Sequence, residues 1–378
     1  MASTRGPLRA EQSKTAPQAT ATVFLDFAEK GATVSEYRWT VIGAGPAGIA
    51  AVGKLIDHGV EPASIAWIDP EFAVGDLGAK WRAVPSNTSV KLFINYLTGA
   101  ESFRFAHAPH FALNDLAPMD TCRLGEVADP LVWVTGQLCG QVSALRTSAT
   151  GLSLHGGRWT VQTELGEIAS KNVILAIGST PKTLDYPWLN EIPIEVALDP
   201  AKLAEQPLEG ATVAVFGSSH SSMIALPNLL AGPAAKVINF YRGPLRYAVD
   251  MGDWTLFDDT GLKGEAARWA RENIDGVLPD RLQRCLVDSP EFPELLQSCD
   301  YAVYTVGFSP RSIPAAPQWG RLECNAANGI IAPGLFGIGI AFPEYRIDPM
   351  GFGEYRVGLQ KFMDRLNKTL PLWLKYGS

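Results

Sequence analysis

Three closely spaced glycines form the first group of residues whose spacing indicates a chemistry. Residues 43–48 read Gly-Ala-Gly-Pro-Ala-Gly, the G-x-G-x-x-G spacing, and lie between a short apolar run and a helical pattern. Gly43 permits a tight turn, Gly45 lets the backbone approach a pyrophosphate, and Gly48 allows close packing of helix on strand. Asp69 ends the next apolar run, where a carboxylate can accept hydrogen bonds from ribose hydroxyls. The pattern predicts a dinucleotide-binding site; the alternative is a glycine-rich turn without a ligand.

A second segment of this kind, residues 217–222, reads Gly-Ser-Ser-His-Ser-Ser. Gly217 matches the first glycine of the spacing, but Ser219 and Ser222 replace the other two. A serine hydroxyl can bind a phosphate, although its side chain keeps the backbone farther away. The segment indicates either a second nucleotide site or a structural remnant of one. Nucleophilic catalysis by these serines with His220 is disfavoured, because no partnered acid is evident and the G-x-S-x-G register is absent.

Arg242 directly follows the β-rich run 237–241, which is the second strand of the unit that contains the Gly217 segment. An acid at the end of that strand favours NAD, whereas an arginine can pair bidentately with the 2′-phosphate of NADP. Arg242 therefore predicts a preference for NADPH. The alternative is an ordinary surface arginine.

Two strand–helix–strand units of about 30 residues would position these residues. The predicted strands are 39–42, 65–68, 159–163, 171–177, 212–216, 236–241, 301–306 and 334–340. Predicted helices cover 49–56 and 224–229, and a closing helix runs from about 353 to 366. A proline-rich segment, 181–207, is predicted to be irregular.

These units predict an α/β fold with one inserted domain. A Rossmann-like nucleotide-binding domain, made from residues 37–207 and 313–378, carries a smaller Rossmann-like domain, residues 208–312. Residues 1–36 are predicted to be a disordered tail. Their Ser, Thr, Ala and Arg content is also similar to that of an organelle transit peptide, but they lack the apolar region of a secretory signal.

Composition argues against several classes of function. The 378-residue chain has 39 acidic and 32 basic side chains and a formal charge of −7, which disfavours a general nucleic-acid binder. Its five cysteines are dispersed without a C-x-x-C pair, which suits a reducing compartment and offers neither a redox dithiol nor a zinc site. No apolar run approaches the roughly 18 residues that span a bilayer. We therefore predict a cytoplasmic protein without a metal or a membrane span.

These motifs resemble those of the flavin-containing monooxygenases and their wider relatives with two dinucleotide-binding domains, over most of the chain from about Arg38 to Arg365. Seven segments carry the resemblance, in the order of the family. They are 43–48, similar to the FAD fingerprint; 75–81 (GDLGAKW), similar to a Gly-Gly-x-Trp stretch beside the flavin; 86–91 (SNTSVK), similar to an Asn-Thr-Ser-x-Lys segment; 174–178 (ILAIG); 217–222, similar to the NADPH fingerprint; 304–308 (YTVGF); and 335–339 (LFGIG).

The resemblance implies an enzyme that binds FAD and NADPH. NADPH would reduce the flavin, O2 would add at the flavin C4a carbon, and the peroxyflavin would give one oxygen atom to a small metabolite containing nitrogen, sulfur or a carbonyl group. In this family an asparagine matching Asn87 hydrogen-bonds near the peroxyflavin, which makes Asn87 the candidate catalytic residue. The alternative is a loop asparagine that caps its own backbone. Trp81 is either a neighbour of the flavin or part of the core.

The candidate cofactor-binding residues are Gly43, Gly45, Pro46, Ala47, Gly48, Asp69, Trp81, Gly178, Gly217, Ser218, Ser219, His220, Ser221, Arg242 and Gly339. The chain departs from the family after Gly178, where a Phe-x-Gly-x-x-x-His segment is absent, and at Ile340, where disulfide-reductase relatives have aspartate. Two other functions stay open: a flavin oxidase or dehydrogenase that does not need NADPH, and a non-catalytic nucleotide-binding protein. The aromatic and acidic stretch 247–264 is either a pocket for a cationic amine or an exposed loop.

Overall fold

The computed structural model describes residues 36–320 and 322–376. The strands are β1 (Glu36–Ile42), β2 (Ile65–Ile68), β3 (Pro85–Ser89), β4 (Thr121–Arg123), β5 (Ser143–Leu145), β6 (Ala149–His155), β7 (Arg158–Thr163), β8 (Gly166–Leu175), β9 (Ser179–Pro181), β10 (Asn190–Glu191), β11 (Thr212–Phe216), β12 (Lys236–Tyr241), β13 (Val249–Asp250), β14 (Thr255–Leu256), β15 (Leu282–Leu286), β16 (Tyr301–Tyr304), β17 (Phe308–Pro310), β18 (Ile330–Ala332), β19 (Leu335–Gly337), β20 (Glu344–Ile347) and β21 (Gly353–Arg356). The helices are α1 (Pro46–Asp57), α2 (Gly75–Ala79), α3 (Val90–Leu97), α4 (Leu124–Cys139), α5 (Ile194–Ala197), α6 (Pro200–Ala204), α7 (His220–Ala231), α8 (Gly264–Asn273), α9 (Phe292–Gln297) and α10 (Leu359–Tyr376). Residues 1–35 of the predicted tail lie outside the described residues.

The larger sheet has eight strands in the order β18-β19-β8-β1-β2-β5, with β7 paired to β8 and β6 paired to β7. Strands β19, β8, β1, β2 and β5 are parallel, so their carboxyl ends meet at one edge. Trp39 and Val41 of β1 and Trp67 of β2 are buried in a core that also contains residues of α1, α3, α4 and α10. Pro46 begins α1 directly after the glycine turn, a position that suits the fixed φ of proline.

The smaller sheet has five parallel strands in the order β10-β16-β11-β12-β15. Its strands are buried on both faces, because separate apolar clusters cover each face. Continuous apolar strands of this kind are typical of a parallel sheet between helices. The α/β fold with two Rossmann-like units, predicted from the sequence, is confirmed.

Residues 190–204 belong to the smaller unit, although the sequence predicts an irregular segment of the larger domain. Strand β10 pairs with β16, and Ile192, Ile194 and Leu203 are buried in the core of the smaller unit. The prediction of irregular structure is wrong here, because elements of two to five residues leave little periodicity. We propose that the smaller domain begins near residue 190 rather than 208.

The closing helix also differs from its predicted bounds, since α10 begins at Leu359 rather than near residue 353. Residues of β21 pair instead with β20 in an antiparallel hairpin. The buried residues Phe362, Leu366 and Trp373 follow helical spacing from Leu359 onward. The helix therefore begins where its apolar face begins and continues past residue 366.

Two short strand pairs connect the units. Strands β9 and β17 pair antiparallel, with Pro181 opposite Phe308, so the chain leaves the larger unit and returns to it at one place. Strands β3 and β4 form the second pair. Val84, next to β3, is buried in the core of the smaller unit, and Leu124, next to β4, packs against both cores. Asn87 on β3 therefore lies at the junction of the two units.

Candidate active site

The glycine segment 43–48 forms the turn between β1 and α1. Gly43 has a φ of +106°, and a side chain there would collide with the carbonyl oxygen of Ala176. A side chain at Gly48 would collide with the carbonyl oxygen of Gly43, whereas one at Gly45 would meet no atom within 4 Å. The first and third glycines thus bring strand and helix together, and the second leaves the turn accessible to a ligand.

Asp69 follows β2, and three backbone N–H groups donate to its carboxylate. Ala44 donates to Oδ2 at 2.7 Å. Glu71 and Phe72 donate to Oδ1 at 2.9 and 2.7 Å. Gly43 and Asp69 line the same cleft, which has a volume of about 370 Å³. The acid thus lies beside the glycine turn and also fixes that turn relative to β2.

Gly178 and Gly339 follow β8 and β19 and lie at the same edge of the larger sheet. Gly339 has a φ of +88°, and a Cβ there would lie 2.7 Å from the Cβ of Ala47 in α1. Gly178 has a φ of +74°, and a Cβ there would lie 2.8 Å from Nη1 of Arg311. The structure therefore brings the candidate cofactor-binding residues of the larger unit, except Trp81, around the glycine turn.

Arg311 and Asp76 are two charged residues of this cleft that the sequence motifs do not identify. Arg311 Nη2 lies 2.6 Å from Asp76 Oδ2, and Arg311 Nη1 donates to the carbonyl oxygen of Ile177 at 3.2 Å. Asp76 belongs to the 75–81 stretch, but no local pattern connects it with an arginine so far along the chain. This ion pair links the segment after β17, which returns from the smaller unit, to helix α2, which lines the first cleft.

A second cleft of about 560 Å³ lies at the carboxyl ends of β11 and β12. Its lining includes Gly217, Ser218, Ser219, Arg242, Lys182 and Thr305. Gly217 has a φ of +119°, and a side chain there would collide with Thr305. Arg242 is exposed and forms no ion pair with any described residue. Its guanidinium group is therefore available to an anionic ligand.

Residues 220–222 of the Gly217 segment do not line the second cleft. The hydroxyl of the buried Ser222 donates to the carbonyl oxygen of Ser219 at 2.7 Å. His220 Nε2 lies 3.5 Å from the carbonyl oxygen of Pro85 on β3, and its Nδ1 is buried without a partner among the described residues. Burial lowers the pKa of His220. Neither His220 nor Ser221 lines the second cleft, and His220 instead contacts the strand that carries Asn87.

A third cleft, the Asn87 cleft, has a volume of about 470 Å³ and is formed by residues within 87–92, 119–121, 248–264 and 357–361. Asn87 Oδ1 accepts a hydrogen bond from the Thr88 hydroxyl at 3.2 Å, and Nδ2 has no acceptor among the described residues. The N–H donors of this side chain are therefore unpaired among the described residues. The aromatic and acidic stretch that the sequence left open lines this cleft.

Trp81 lies at the junction of the two units rather than in a cleft. Its ring meets Phe308 edge-on, with 6.2 Å between ring centroids, and packs against the core of the smaller unit. None of the three clefts is lined by it. Of the two readings from the sequence, this placement favours packing between the units.

Residues 36–320 and 322–376 give little support for a metal site, a reactive thiol or a membrane-spanning helix. No three His, Cys, Asp or Glu side chains lie together as metal ligands. All five cysteines are free, and burial raises the pKa of Cys122 to about 11 and of Cys139 to about 12, so these thiols stay protonated. No described helix combines the length and the apolar character that crossing a bilayer requires.

The chain is similar to known proteins along most of its length, although no protein-family model matches it. It is 33% identical over 386 residues to monooxygenase AgnR1 of Paecilomyces divaricatus, an alignment that covers 88% of this chain and 97% of that protein. The chain belongs to the flavin-containing monooxygenase family. As a member of this family it is a flavin-dependent oxidoreductase.

Solved structures in the family and beyond it share the two-unit fold. The flavin-containing monooxygenase of Stenotrophomonas maltophilia has a TM-score of 0.63 at 16% identity, covering 91% of this chain and 100% of that chain. The ornithine N-hydroxylase of Kutzneria sp. 744 has a TM-score of 0.60 at 13% identity, with coverages of 91% and 100%. The thioredoxin reductase of Lactococcus lactis has a TM-score of 0.56 at 13% identity, with coverages of 90% and 99%. At these identities the likeness concerns the fold alone.

Proposed function

We propose that this family member is an FAD- and NADPH-dependent monooxygenase. NADPH, a proton, O2 and the substrate would give NADP⁺, water and a product that carries one oxygen atom. NADPH thus supplies the two electrons that reduce the second oxygen atom to water. The substrate is a small metabolite that is oxidised at nitrogen, at sulfur or beside a carbonyl group.

The arrangement of the three clefts carries the proposal. The first and second clefts each lie at the carboxyl edge of a parallel sheet, beside a glycine turn that leads into a helix. Dinucleotides bind at this place in Rossmann-like units. The Asn87 cleft is formed by segments of both units. Two dinucleotide sites and a third cleft fit electron transfer from one dinucleotide to the other and then to O2 and a substrate.

The residues of the first cleft fit FAD. A pyrophosphate can approach the turn because no atom lies within 4 Å of the position that a Cβ at Gly45 would take. Gly75 lies beside this turn, and a Cβ there would come within 3.1 Å of the Cα of Gly45. Neither glycine places a side chain at the turn. Asp69 supplies a carboxylate for ribose hydroxyls. When bound, the reduced flavin supplies the chemistry that activates O2.

The residues of the second cleft fit NADPH. The hydroxyls of Ser218 and Ser219 can bind phosphate oxygens, and Arg242 can pair with the 2′-phosphate because no described residue neutralises it. Lys182 adds a second positive charge to the lining. NADH lacks the 2′-phosphate, so these cations favour NADPH.

Asn87 would act in the third cleft through its amide nitrogen. This group can donate a hydrogen bond to a reacting oxygen atom without giving up its proton, because a neutral amide is not an acid at physiological pH. The hydrogen bond from Thr88 holds the amide oxygen and thereby orients the nitrogen. We therefore assign Asn87 the role of steadying an oxygen atom during transfer.

Rapid mixing of FAD-loaded protein with NADPH or NADH, first without oxygen, tests the proposal. We expect NADPH to reduce the flavin faster than NADH. Subsequent exposure to isotopically labelled O2 with a substrate should place one labelled oxygen atom in the product. Flavin that NADPH never reduces would overturn the proposal.

A second candidate is a flavin oxidase or dehydrogenase that takes electrons directly from its substrate. Ser219 and Ser222 favour it, because they depart from the glycine spacing of a tight NADPH site. Bleaching of the flavin by substrate alone, without oxygen or NADPH, would support this candidate. A strict requirement for NADPH would exclude it.

A further inference from the structure

The Asn87 cleft indicates what kind of molecule the enzyme oxidises. We propose that it binds an uncharged, predominantly apolar substrate with a ring-sized body, and not a cationic amine or a free amino acid. A volume of about 470 Å³ lies within the range of small-molecule pockets. The proposal rests on the proposed monooxygenase function and narrows its substrate class.

Two acidic residues of the cleft, Asp258 and Asp259, are paired with lysines of the protein itself. Lys263 Nζ lies 2.5 Å from Asp258 Oδ1, and Lys361 Nζ lies 2.6 Å from the other oxygen of Asp258. Lys361 Nζ also lies 2.8 Å from Asp259 Oδ1, which accepts a further bond from the backbone N–H of Val357 at 2.9 Å. Two lysines therefore match two aspartates, and neither aspartate is left to bind an ammonium group.

The two lysines and two aspartates of this network have formal charges that sum to zero. Burial tends to raise the pKa of Asp258, but the hydrogen bonds and charges of Lys263 and Lys361 outweigh burial and hold the pKa below its usual value. A cationic substrate would meet two ammonium groups that already occupy the carboxylates. Asp250, another acid of the lining, is exposed to solvent and accepts a bond from the N–H of Gly252 at 2.9 Å.

Exposed apolar side chains surround the entrance of the Asn87 cleft. Met119, Leu92 and Val357 line it and are 77%, 39% and 38% exposed. Val249 and Met251 lie on the neighbouring hairpin segment and are 45% and 47% exposed. Single exposed apolar residues are common, but a group around one cleft is typical of a surface that binds an apolar ligand.

The amide of Asn87 is one polar group that can orient such a ligand. Asn87 Nδ2 has no acceptor among the described residues and can donate to a carbonyl oxygen or another uncharged acceptor. Apolar contacts with a few fixed polar groups are the usual composition of a small-molecule site. The cleft therefore combines exposed apolar side chains, two aspartates paired with lysines and the amide donor of Asn87.

Two probes with the same ring system and different charge test the proposal. Methyl naphthyl ketone is uncharged, and naphthylmethylammonium is a cation; binding of each to the FAD-loaded protein is measured by isothermal titration calorimetry. We expect the ketone to bind at least about tenfold more tightly than the ammonium probe, and L-ornithine to give no heat of binding. Equal or tighter binding of the ammonium probe, or no binding of the ketone, would overturn the proposal.

Substitution of Lys361 by methionine tests the pairing of the two aspartates with lysines. Lys361→Met leaves Asp259 without its lysine partner, so we expect the affinity for naphthylmethylammonium to rise about tenfold and that for the ketone to stay unchanged. An unchanged ratio of the two affinities would contradict the proposal. If this variant does not fold, Lys263→Met at the more exposed end of the network tests the same point.

Substitution of Met119 tests the apolar entrance. Met119→Asp should lower the affinity for the ketone about tenfold, because it replaces apolar contact area with a charge. Val277→Asp is the matched control, since Val277 is 83% exposed and does not line the cleft. Equal effects of the two substitutions would contradict the assignment. Reduction of the flavin by NADPH without a probe tests the proposed function separately, so that failure of either proposal is recognised.

Discussion

The two nucleotide turns of this protein begin alike and then differ. Gly43 and Gly217 both have positive φ, and a side chain at either would collide with the neighbouring strand. At the last position of the pattern, Gly48 touches a backbone oxygen that leaves no room for a methyl group, whereas Ser222 is accommodated and hydrogen-bonds within its turn. The turn itself therefore requires glycine at the first position. Glycine is required at the last position only where helix and strand approach each other very closely.

The two turns also differ at the middle position of the glycine pattern, which determines how closely a ligand can approach the backbone. Gly45 leaves open space beside the backbone, whereas Ser219 places a side chain in the lining of the second cleft. A dinucleotide can therefore approach the first turn more closely than the second. We expect FAD to stay bound through turnover and NADPH to bind and leave in each cycle.

The largest effect should come from Gly48→Ala. The added methyl group overlaps the carbonyl oxygen of Gly43, and overpacking of this kind costs about 1–3 kcal/mol or more. We expect a lower melting temperature and loss of bound FAD, measured by thermal unfolding and by the flavin absorbance of the purified protein. Ser222→Ala is the control in the second turn; it removes one hydroxyl bond, worth about 1 kcal/mol, and should retain FAD. Full FAD content in Gly48→Ala would show that the two turns do not differ sterically.

Arg242→Gln should alter the second turn without affecting the first. Loss of a charge-assisted hydrogen bond costs about 1.5–3 kcal/mol, which corresponds to a rise in KM for NADPH of about 10- to 150-fold. The KM for NADH and the FAD content should not change. Arg246→Gln serves as the control, because Arg246 is also exposed but does not line the second cleft. Equal rises in the KM for NADPH and in the KM for NADH would contradict the role assigned to Arg242.

A reciprocal exchange at the middle positions should have a smaller effect. Gly45→Ser makes the first turn like the second, and because nothing lies within 4 Å of that position the fold should be kept. We expect the Kd for FAD to rise about tenfold and the melting temperature of the FAD-free protein to stay the same. Ser219→Gly should lower the KM for NADPH severalfold. Fluorescence titration and steady-state kinetics measure the two changes, and opposite directions would refute the comparison.

The smallest effect concerns His220, where the second turn contacts β3. Burial lowers the pKa of His220, and Lys263 lowers it further, while the contact with Pro85 and the charge of Glu265 oppose this shift. The unfolded chain therefore takes up the proton at a higher pH than the folded protein does. Stability contributed by neutral His220 is present above the unfolded pKa of about 6.5 and is lost as the pH falls below it.

Thermal unfolding between neutral pH and about pH 5 measures this dependence. The melting temperature of His220→Gln should decline less with falling pH than that of the wild type. His155→Gln is the control, because His155 is exposed on β6. Parallel declines for all three proteins would show that His220 does not couple the turn to pH.

The strands around both glycine turns were predictable because their pattern is local. An apolar run, a glycine and a helical spacing follow one another directly at β1–α1 and at β11–α7, and the structure confirms both units. The short elements in 190–204 were not predictable, since β10 gains its partner strand only from β16, far along the chain. The start of α10 was misplaced because residues of β21 have no apolar face that distinguishes hairpin from helix.

The Asn87 cleft shows more clearly what a sequence alone leaves out. Asn87 itself was identified through its family segment, and its catalytic role stays a prediction. The acidic stretch beside it suggested a cation, because the sequence does not show that Lys361 reaches Asp258 and Asp259. Only the tertiary contacts reveal that Asp258 and Asp259 are paired with lysines. Likewise, the Arg311–Asp76 pair joins residues that no local pattern relates.

Because strands β9 and β17 pair, the smaller unit is an insertion that could be replaced as a whole. All eight strands of the larger sheet come from residues outside 182–307, and the two ends of that insertion already lie side by side, with Pro181 opposite Phe308. A short linker across this gap would close a loop at little entropic cost. The smaller unit, for which we propose NADPH binding, could therefore be exchanged for another of different nucleotide preference without rerouting the strands around the first cleft.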